Sequence, residues 1–280
     1  MYPMDLPLLE DDLAFTAVIE PSEVISPIDM PECVVLCFFN EVIEALAARD
    51  DTRVVQVLVA AHGAHTIWEL EHAGQRLAVL HPGVGAPLAA GFLEEAIALG
   101  GRTFVAVGGA GALLPDLVLG HAVVVEGAVR DEGTSLHYLA PSRTVDADPA
   151  AVTAVQETLS AAGVPFVTGR TWTTDAMYRE TRARVDRRVA EGCVTVEMEA
   201  AALIAVARYR GVRFAQLLYA GDSLAGPAWD ERAWTSATSV REQLFWHAAD
   251  AALRLGRTEQ GFGARQATSP GKAPRRTSEQ

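Results

Sequence analysis

Lysine is nearly absent from this chain: among 280 residues, Lys272 is the only one. A Schiff-base mechanism on a core lysine is therefore disfavoured, and a cation in a folded site has to be arginine, histidine or a metal. Cysteine is scarce as well. Cys33, Cys37 and Cys193 lack metal-site spacing and are too few for a disulfide framework, which points to a reducing, cytoplasmic setting. No apolar run approaches the roughly 20 residues needed to span a bilayer. The acidic start MYPMDLPLLEDDL has no signal-peptide pattern. There is no basic surplus either. A formal net charge of −13 argues against a general nucleic-acid binder, which needs a basic face. Neither nucleic acid nor membrane is expected as a partner.

What the chain does have is hydrophobic residues, at 50% of the total, and a regular alternation of elements. CVVLC, VVQVLVA, LAVLH, TFVAV, HAVVVE, FVTGR and RFAQLLYA read as strands. Stretches near 40–49, 87–99, 149–162, 179–191, 197–210 and 236–255 read as helices. Pro87 suits the first turn of its helix, as does Pro149 behind a capping Asp148. Such alternation predicts an α/β layered fold with helices on both faces of a sheet. No repeat or linker divides the chain. The expected organisation is an N-terminal extension (1–20), one domain (21–256) and a polar, basic, Gly/Pro/Ser-rich tail (257–280) that reads as disordered and solvated.

TVEMEAAAL, Thr195 to Leu203, sets two carboxylates around a methionine where an alanine-rich helix begins. A surface helix accepts acidic residues at its start. Here, however, the flanks CVTV and ALIAVA are apolar, and buried carboxylates need partners. HPGVGAP and VGGAGALLP each follow a strand and read as turns where backbone approaches a ligand or a strand closely. Neither is a dinucleotide fingerprint: Leu88 stands in place of the third glycine, and Pro115 interrupts the second motif. Together they favour a ligand site at the strand ends. GDSL at Gly221–Leu224 imitates an esterase motif but comes late, with no Asp-x-x-His after it. His62 and His65, with Glu69 beyond, read as a hydrogen-bonded pair in a loop rather than metal ligands.

HPGVGAPLAAGFLEEAIALGGRTFVAVGGAGALLP, then RDEGTSLHY, then VEMEAAALIAVARYRGV resembles the nucleoside phosphorylase family, above all its uridine phosphorylase branch, in order from about Cys33 to about Leu224. The resemblance implies a single-domain, three-layer α/β/α sandwich with a central mixed sheet. It also implies a homo-oligomer built from dimers, up to a hexamer, with active sites sharing residues across the dimer interface. The implied reaction cleaves a nucleoside's N-glycosidic bond, with phosphate as co-substrate and no cofactor or metal, or with water in the nucleosidase branch.

The resemblance also assigns roles. Glu199 would accept the ribose hydroxyls, since a carboxylate can take both donors of a vicinal diol. Met198 would pack on the sugar, and Glu197 would be structural or catalytic. Asp222 would assist the departing base or serve as an ordinary loop residue. Trp172, Met177 or Tyr178 would stack on the base, and Arg179 or Arg182 would bond a carbonyl. The family's phosphate arginines are missing: CFFNEVIEAL carries none, Ala106 replaces one, and the region near Gly63 lacks the one lent by a neighbour. That leaves backbone N–H groups of Gly83–Gly85 and Gly108–Gly111 (Gly83, Gly85, Gly108 and Gly109 foremost), His62 or His65, Arg130 and Arg170. A Rossmann-type oxidoreductase and a nucleoside-binding sensor with little turnover are the remaining alternatives.

Overall fold

Side chains alternate across a strand, and along the central strands both sets are apolar. On β1 (Cys33–Cys37), Val35 and Cys37 enter one core while Val34 and Leu36 enter another. On β5 (Thr103–Ala112), Val105 and Val107 part from Phe104 and Ala106 in the same way. A sheet buried on both faces needs helices on both. The computed structural model describes residues 6–10, 16–61 and 63–266 and has that arrangement. The first core is closed by α2 (Asn40–Ala47), α4 (Pro149–Ala161) and α7 (Thr238–Gln266), the second by α3 (Ala86–Leu99) and α6 (Ala200–Arg210). A helical turn α1 (Pro21–Val24) precedes β1, and α5 (Arg182–Ala190) packs beside a smaller cluster around Trp172.

The remaining strands are β2 (Arg53–Ala60), β3 (Gly63–His72), β4 (Gln75–Leu80), β6 (Ala122–Asp131), β7 (Thr144–Asp146), β8 (Phe166–Thr174), β9 (Cys193–Glu197) and β10 (Arg213–Ser223). They form one mixed sheet in the order β10-β6-β8-β9-β5-β1-β4-β3-β2, with β7 on β6. β5 also pairs with β10, in parallel, and its end pairs with β9, Gly111 opposite Val196. Strands β5, β10, β6, β8 and β9 therefore close a ring, which brings the ends of β5, β8, β9 and β10 together.

Several expectations change here. VGGAGA is not a turn: Gly108–Ala112 continue β5. A Cβ on Gly111 would lie 2.7 Å from Leu224 and 3.0 Å from Val196, so glycine is what lets neighbouring strands close on β5 there. His65 lies in β3, not in a loop, and His62 falls outside the described residues. Helix α7 runs through Gln266, into the segment read as tail, while 267–280 lie outside the described residues. Asp148 does cap α4, accepting from Ala150 N at 2.9 Å, and Pro149 and Pro87 sit in their first turns. Among the described residues no helix is long and apolar enough to cross a membrane.

Candidate active site

A helix begins with backbone N–H groups that have no partner inside it. At α6 they are met by Glu197, the last residue of β9. Its buried carboxylate accepts from Glu199 N at 2.7 Å, Ala200 N at 2.6 Å and Thr173 Oγ1 at 2.6 Å. Thr173, at the end of β8, accepts in turn from Ala201 N at 3.0 Å. With the cap supplied by Glu197, Glu199 turns away from the helix. Its Oε1 accepts from Gly85 N at 2.6 Å, on the loop after β4. Met198, between the two acids, is half-buried.

Both carboxylates are buried, and burial pushes both above the ordinary carboxylate range. For Glu197, the donors from Thr173, Glu199 N and Ala200 N counteract that push. Glu199 is raised further by the charge of Glu197, and only backbone amides, that of Gly85 first, counteract it. Glu197 is thus the member of the pair that holds its charge, at the positive end of a helix. Glu199 is raised until a donor-bearing ligand arrives.

The loop facing Glu199 depends on glycine. Gly83 and Gly85 have φ of +77° and +95°, where L side chains are strained. A Cβ on Gly83 would meet Leu88 Cδ2 at 2.3 Å. Gly83→Ala is expected to cost about 1–3 kcal/mol, read as a lowered unfolding midpoint. An unchanged midpoint would show that the loop relaxes freely. Gly83 N donates to His81 Nδ1 at 2.9 Å, so that nitrogen carries no proton. Burial, and then nearby His65, lower the His81 pKa. His65 Nδ1 donates to His81 O at 3.1 Å, and Phe38 meets the His81 ring edge-on. This corner beside β1 and β4 is closed by aromatic and neutral groups.

Across the sheet, Asp222 sits near the end of β10. Its Oδ2 accepts from Trp229 Nε1 at 2.6 Å, and Oδ1 would lie 3.6 Å from a Cβ on Gly111. Arg182 clamps the next loop, donating to Leu224 O at 2.8 Å and to Gly226 O. That clamp draws the stretch before α5 against the end of β10. There Glu180 is half-buried, pushed up to about 7 by burial and then by the charge of Asp222. Among the described residues, no group of three or more His, Cys, Asp or Glu side chains comes together as a metal site.

A buried carboxylate with acceptor capacity to spare faces a glycine loop, and a second carboxylate lies near the converging strand ends. The sequence model of the phosphorylase superfamily matches residues 32–255. The chain belongs to that superfamily. It is 30% identical over 187 residues to the uridine phosphorylase of Salmonella typhimurium, covering 62% of this chain and 73% of that one. It is 33% identical over 156 residues to the guanosine phosphorylase of Halorubrum lacusprofundi, covering 56% and 65%. In fold it is similar to the purine nucleoside phosphorylase from Toxoplasma gondii solved with immucillin-H. The TM-score is 0.70 at 19% identity, with 85% of this chain and 94% of that chain covered.

Within this superfamily member, the residues expected from sequence fall into separate places. Glu197, Met198, Glu199 and Gly85 come together, with Asp222 across the converging strands. Trp172 does not join them: it is fully buried, donates from Nε1 to Asp131 at 2.9 Å and stacks under Arg188, so no face is free for a base. Met177, Tyr178 and Arg179 form an exposed turn, Tyr178 at 94%. Arg182 is spent on carbonyls. Arg130 is buried and donates to Ser135 Oγ, Leu139 O, Ala140 O and Ser142 Oγ, pinning the RDEGTSLHY segment instead of an anion. Arg170 pairs with Asp146 at 3.1 Å. The amides of Gly83 and Gly85 are already engaged, and Gly108 and Gly109 are strand residues. Ser223 is buried and accepts from Ala225 N at 3.2 Å, in the manner of a turn residue. Thr173, His81 and Glu180 were not anticipated. His81 does open the HPGVGAP motif, and Glu180 lies between Arg179 and Arg182.

Proposed function

We propose that this chain cleaves the N-glycosidic bond of a nucleoside by phosphorolysis, releasing the free base and a sugar 1-phosphate. It is an enzyme of the nucleoside phosphorylase type, and its named relatives are phosphorylases acting on uridine and guanosine. The observation that carries the reading is Glu199. This buried carboxylate is turned off its own helix by the Glu197 cap and held by one amide, with acceptor capacity left for a vicinal diol. Fixing the sugar there orients C1′ while oxocarbenium character develops. In this reading Asp222 supports the departing base. The chemistry uses inorganic phosphate and needs no cofactor. The exposed Val54, Val57 and Val59 of the edge strand β2 support a homo-oligomer.

Hydrolysis is a second reading, favoured by one observation: Arg130 and Arg170 are both engaged away from Glu199. Product identity separates the two. With phosphate varied from none to tens of millimolar, phosphorolysis predicts a saturating rate and sugar 1-phosphate as product. A phosphate-independent rate with free ribose would make the chain a nucleosidase.

A further inference from the structure

Glu199 is oriented by a loop that has little stiffness of its own. Gly85, whose N–H reaches Glu199 Oε1 at 2.6 Å, follows Gly83 and the exposed Val84, and both glycines have positive φ. Glycine loses more conformational freedom on ordering than any other residue, so this loop has to be held from outside. Pro82 restricts the chain at its entry. The next constraint is the ring of His81. Its Nδ1 accepts from Gly83 N at 2.9 Å, across Pro82, and so sets the direction in which the loop leaves β4.

The His81 ring is itself held. His65, on the neighbouring strand β3, donates from Nδ1 to the His81 carbonyl at 3.1 Å. Phe38, just after β1, meets the imidazole edge-on with ring centroids 5.9 Å apart. The His65 ring lies 6.4 Å from that of His81 and packs on Phe92 of α3 at 4.4 Å. Nδ1 can hold Gly83 only while it is unprotonated, with the proton of the neutral ring on Nε2. Burial and the neighbouring His65 favour that neutral ring. β1, β3 and α3 thus cooperate in placing one ring nitrogen. From it, two hydrogen bonds and a three-residue loop lead to Glu199.

We infer that His81 is a positioning residue for the cleavage reaction: its Nδ1 fixes the Gly83–Gly85 loop, and the Gly85 amide in turn fixes the Glu199 carboxylate for the sugar hydroxyls. The inference rests on the nucleoside-cleaving reading. His81 acts through the loop and takes no part in bond breaking.

His81→Asn and His81→Gln separate this role from packing. Both variants are neutral and polar and both lose the ring, but only the shorter side chain can set an amide oxygen where Nδ1 stands. In the full-length protein, His81→Gln should lower kcat/KM by about 10- to 100-fold on the nucleoside that the wild type cleaves fastest, the scale of a misplaced catalytic group. His81→Asn should recover most of that loss. The acid limb of the kcat/KM profile should move to higher pH in His81→Gln and stay in place in His81→Asn, because the Gly85 amide favours the Glu199 anion. The other titratable groups facing the two residues, His65 and Glu197, are the same in both variants. A second readout needs no turnover. In protein isotope-labelled at glycine nitrogen, the Gly85 amide signal should follow the titration of Glu199 in the wild type and in His81→Asn, and lose that response in His81→Gln. The inference is overturned if the acid limb does not move in His81→Gln, if both variants lose activity equally, or if Gly85 follows Glu199 alike in all three proteins. A wild-type Gly85 signal that ignores Glu199 would overturn it without any variant. Absence of cleavage of every nucleoside would sink the underlying reading, while the glycine titration would still decide whether His81 orients Glu199.

Discussion

Glu199→Gln should abolish most turnover of ribonucleosides in a protein that still folds. The substitution keeps size and shape, and its amide oxygen can still accept from Gly85 N. It removes the negative charge and puts an NH2 donor where a ribose hydroxyl also donates. The loss combines a charge-assisted bond with a polar group left unpaired, about 2–4 kcal/mol in kcat/KM, or roughly 30- to 1,000-fold. Unchanged kinetics in a stable variant would remove Glu199 from the site. The acid limb of the pH profile gives a second check. Burial, then the charge of Glu197, holds Glu199 above the ordinary carboxylate range. Sugar binding favours its anion, so activity is present above that raised value and lost as pH falls through it. The loss should come at higher pH than for an exposed carboxylate, and Glu199→Gln should flatten that limb. For stability of the unligated protein the sign is opposite. A carboxyl with a raised folded-state pKa contributes stability below its unfolded value of 4.5, and that contribution fades as pH rises through the folded value. Nucleoside binding should offset the fading.

The elements most legible in the sequence were those whose signal is local. Helices bounded by Asp148–Pro149 or Pro87 were placed within a residue or two, and the apolar strands were found, because capping and burial on both faces leave marks in a short window. β3 escaped because GAHTIWELEH, second from the sheet edge, mixes charged and apolar residues. β9 was partly absorbed into the helix reading, since Glu197 ends the strand only three residues before α6 begins. The glycines of β5 looked like a turn. Their reason is the close approach of residues distant in sequence: Phe38 at Gly108, Tyr219 at Gly109, and Leu224 and Val196 at Gly111. The site divides along the same line. Glu197 and Glu199 were visible as acids in apolar surroundings. The commitments of Arg130 to the 135–142 segment, of Arg170 to Asp146 and of Trp172 to Asp131 depend on tertiary partners that no spacing rule supplies.

Glu197→Ala tests the other half of the pair, and its expected effect is on the fold. Removing this carboxylate leaves Thr173 Oγ1 and the amides of Glu199 and Ala200 without their acceptor, all in a buried place. An unsatisfied buried donor costs about 1–3 kcal/mol, and a cavity of several heavy atoms adds to that. An overall loss of about 3–5 kcal/mol is expected, large against a net stability of about 5–15 kcal/mol for an ordinary domain. Denaturant unfolding measures it. Glu197→Gln should cost less, because its amide oxygen can keep an acceptor for α6 while its NH2 loses the match with the Thr173 hydroxyl. Thr173→Val provides the cycle: if the hydroxyl acts mainly through Glu197, the double variant with Glu197→Gln should lose less than the two single losses summed. Activity should follow under the proposed function, because Glu199 faces the Gly85 loop only while Glu197 occupies the helix N-terminus in its stead. Without Glu197, Glu199 is the nearest carboxylate to the freed amides and is drawn back toward them. A Glu197→Ala protein with the wild-type midpoint and wild-type kcat/KM would refute both the capping role and its orienting effect on Glu199.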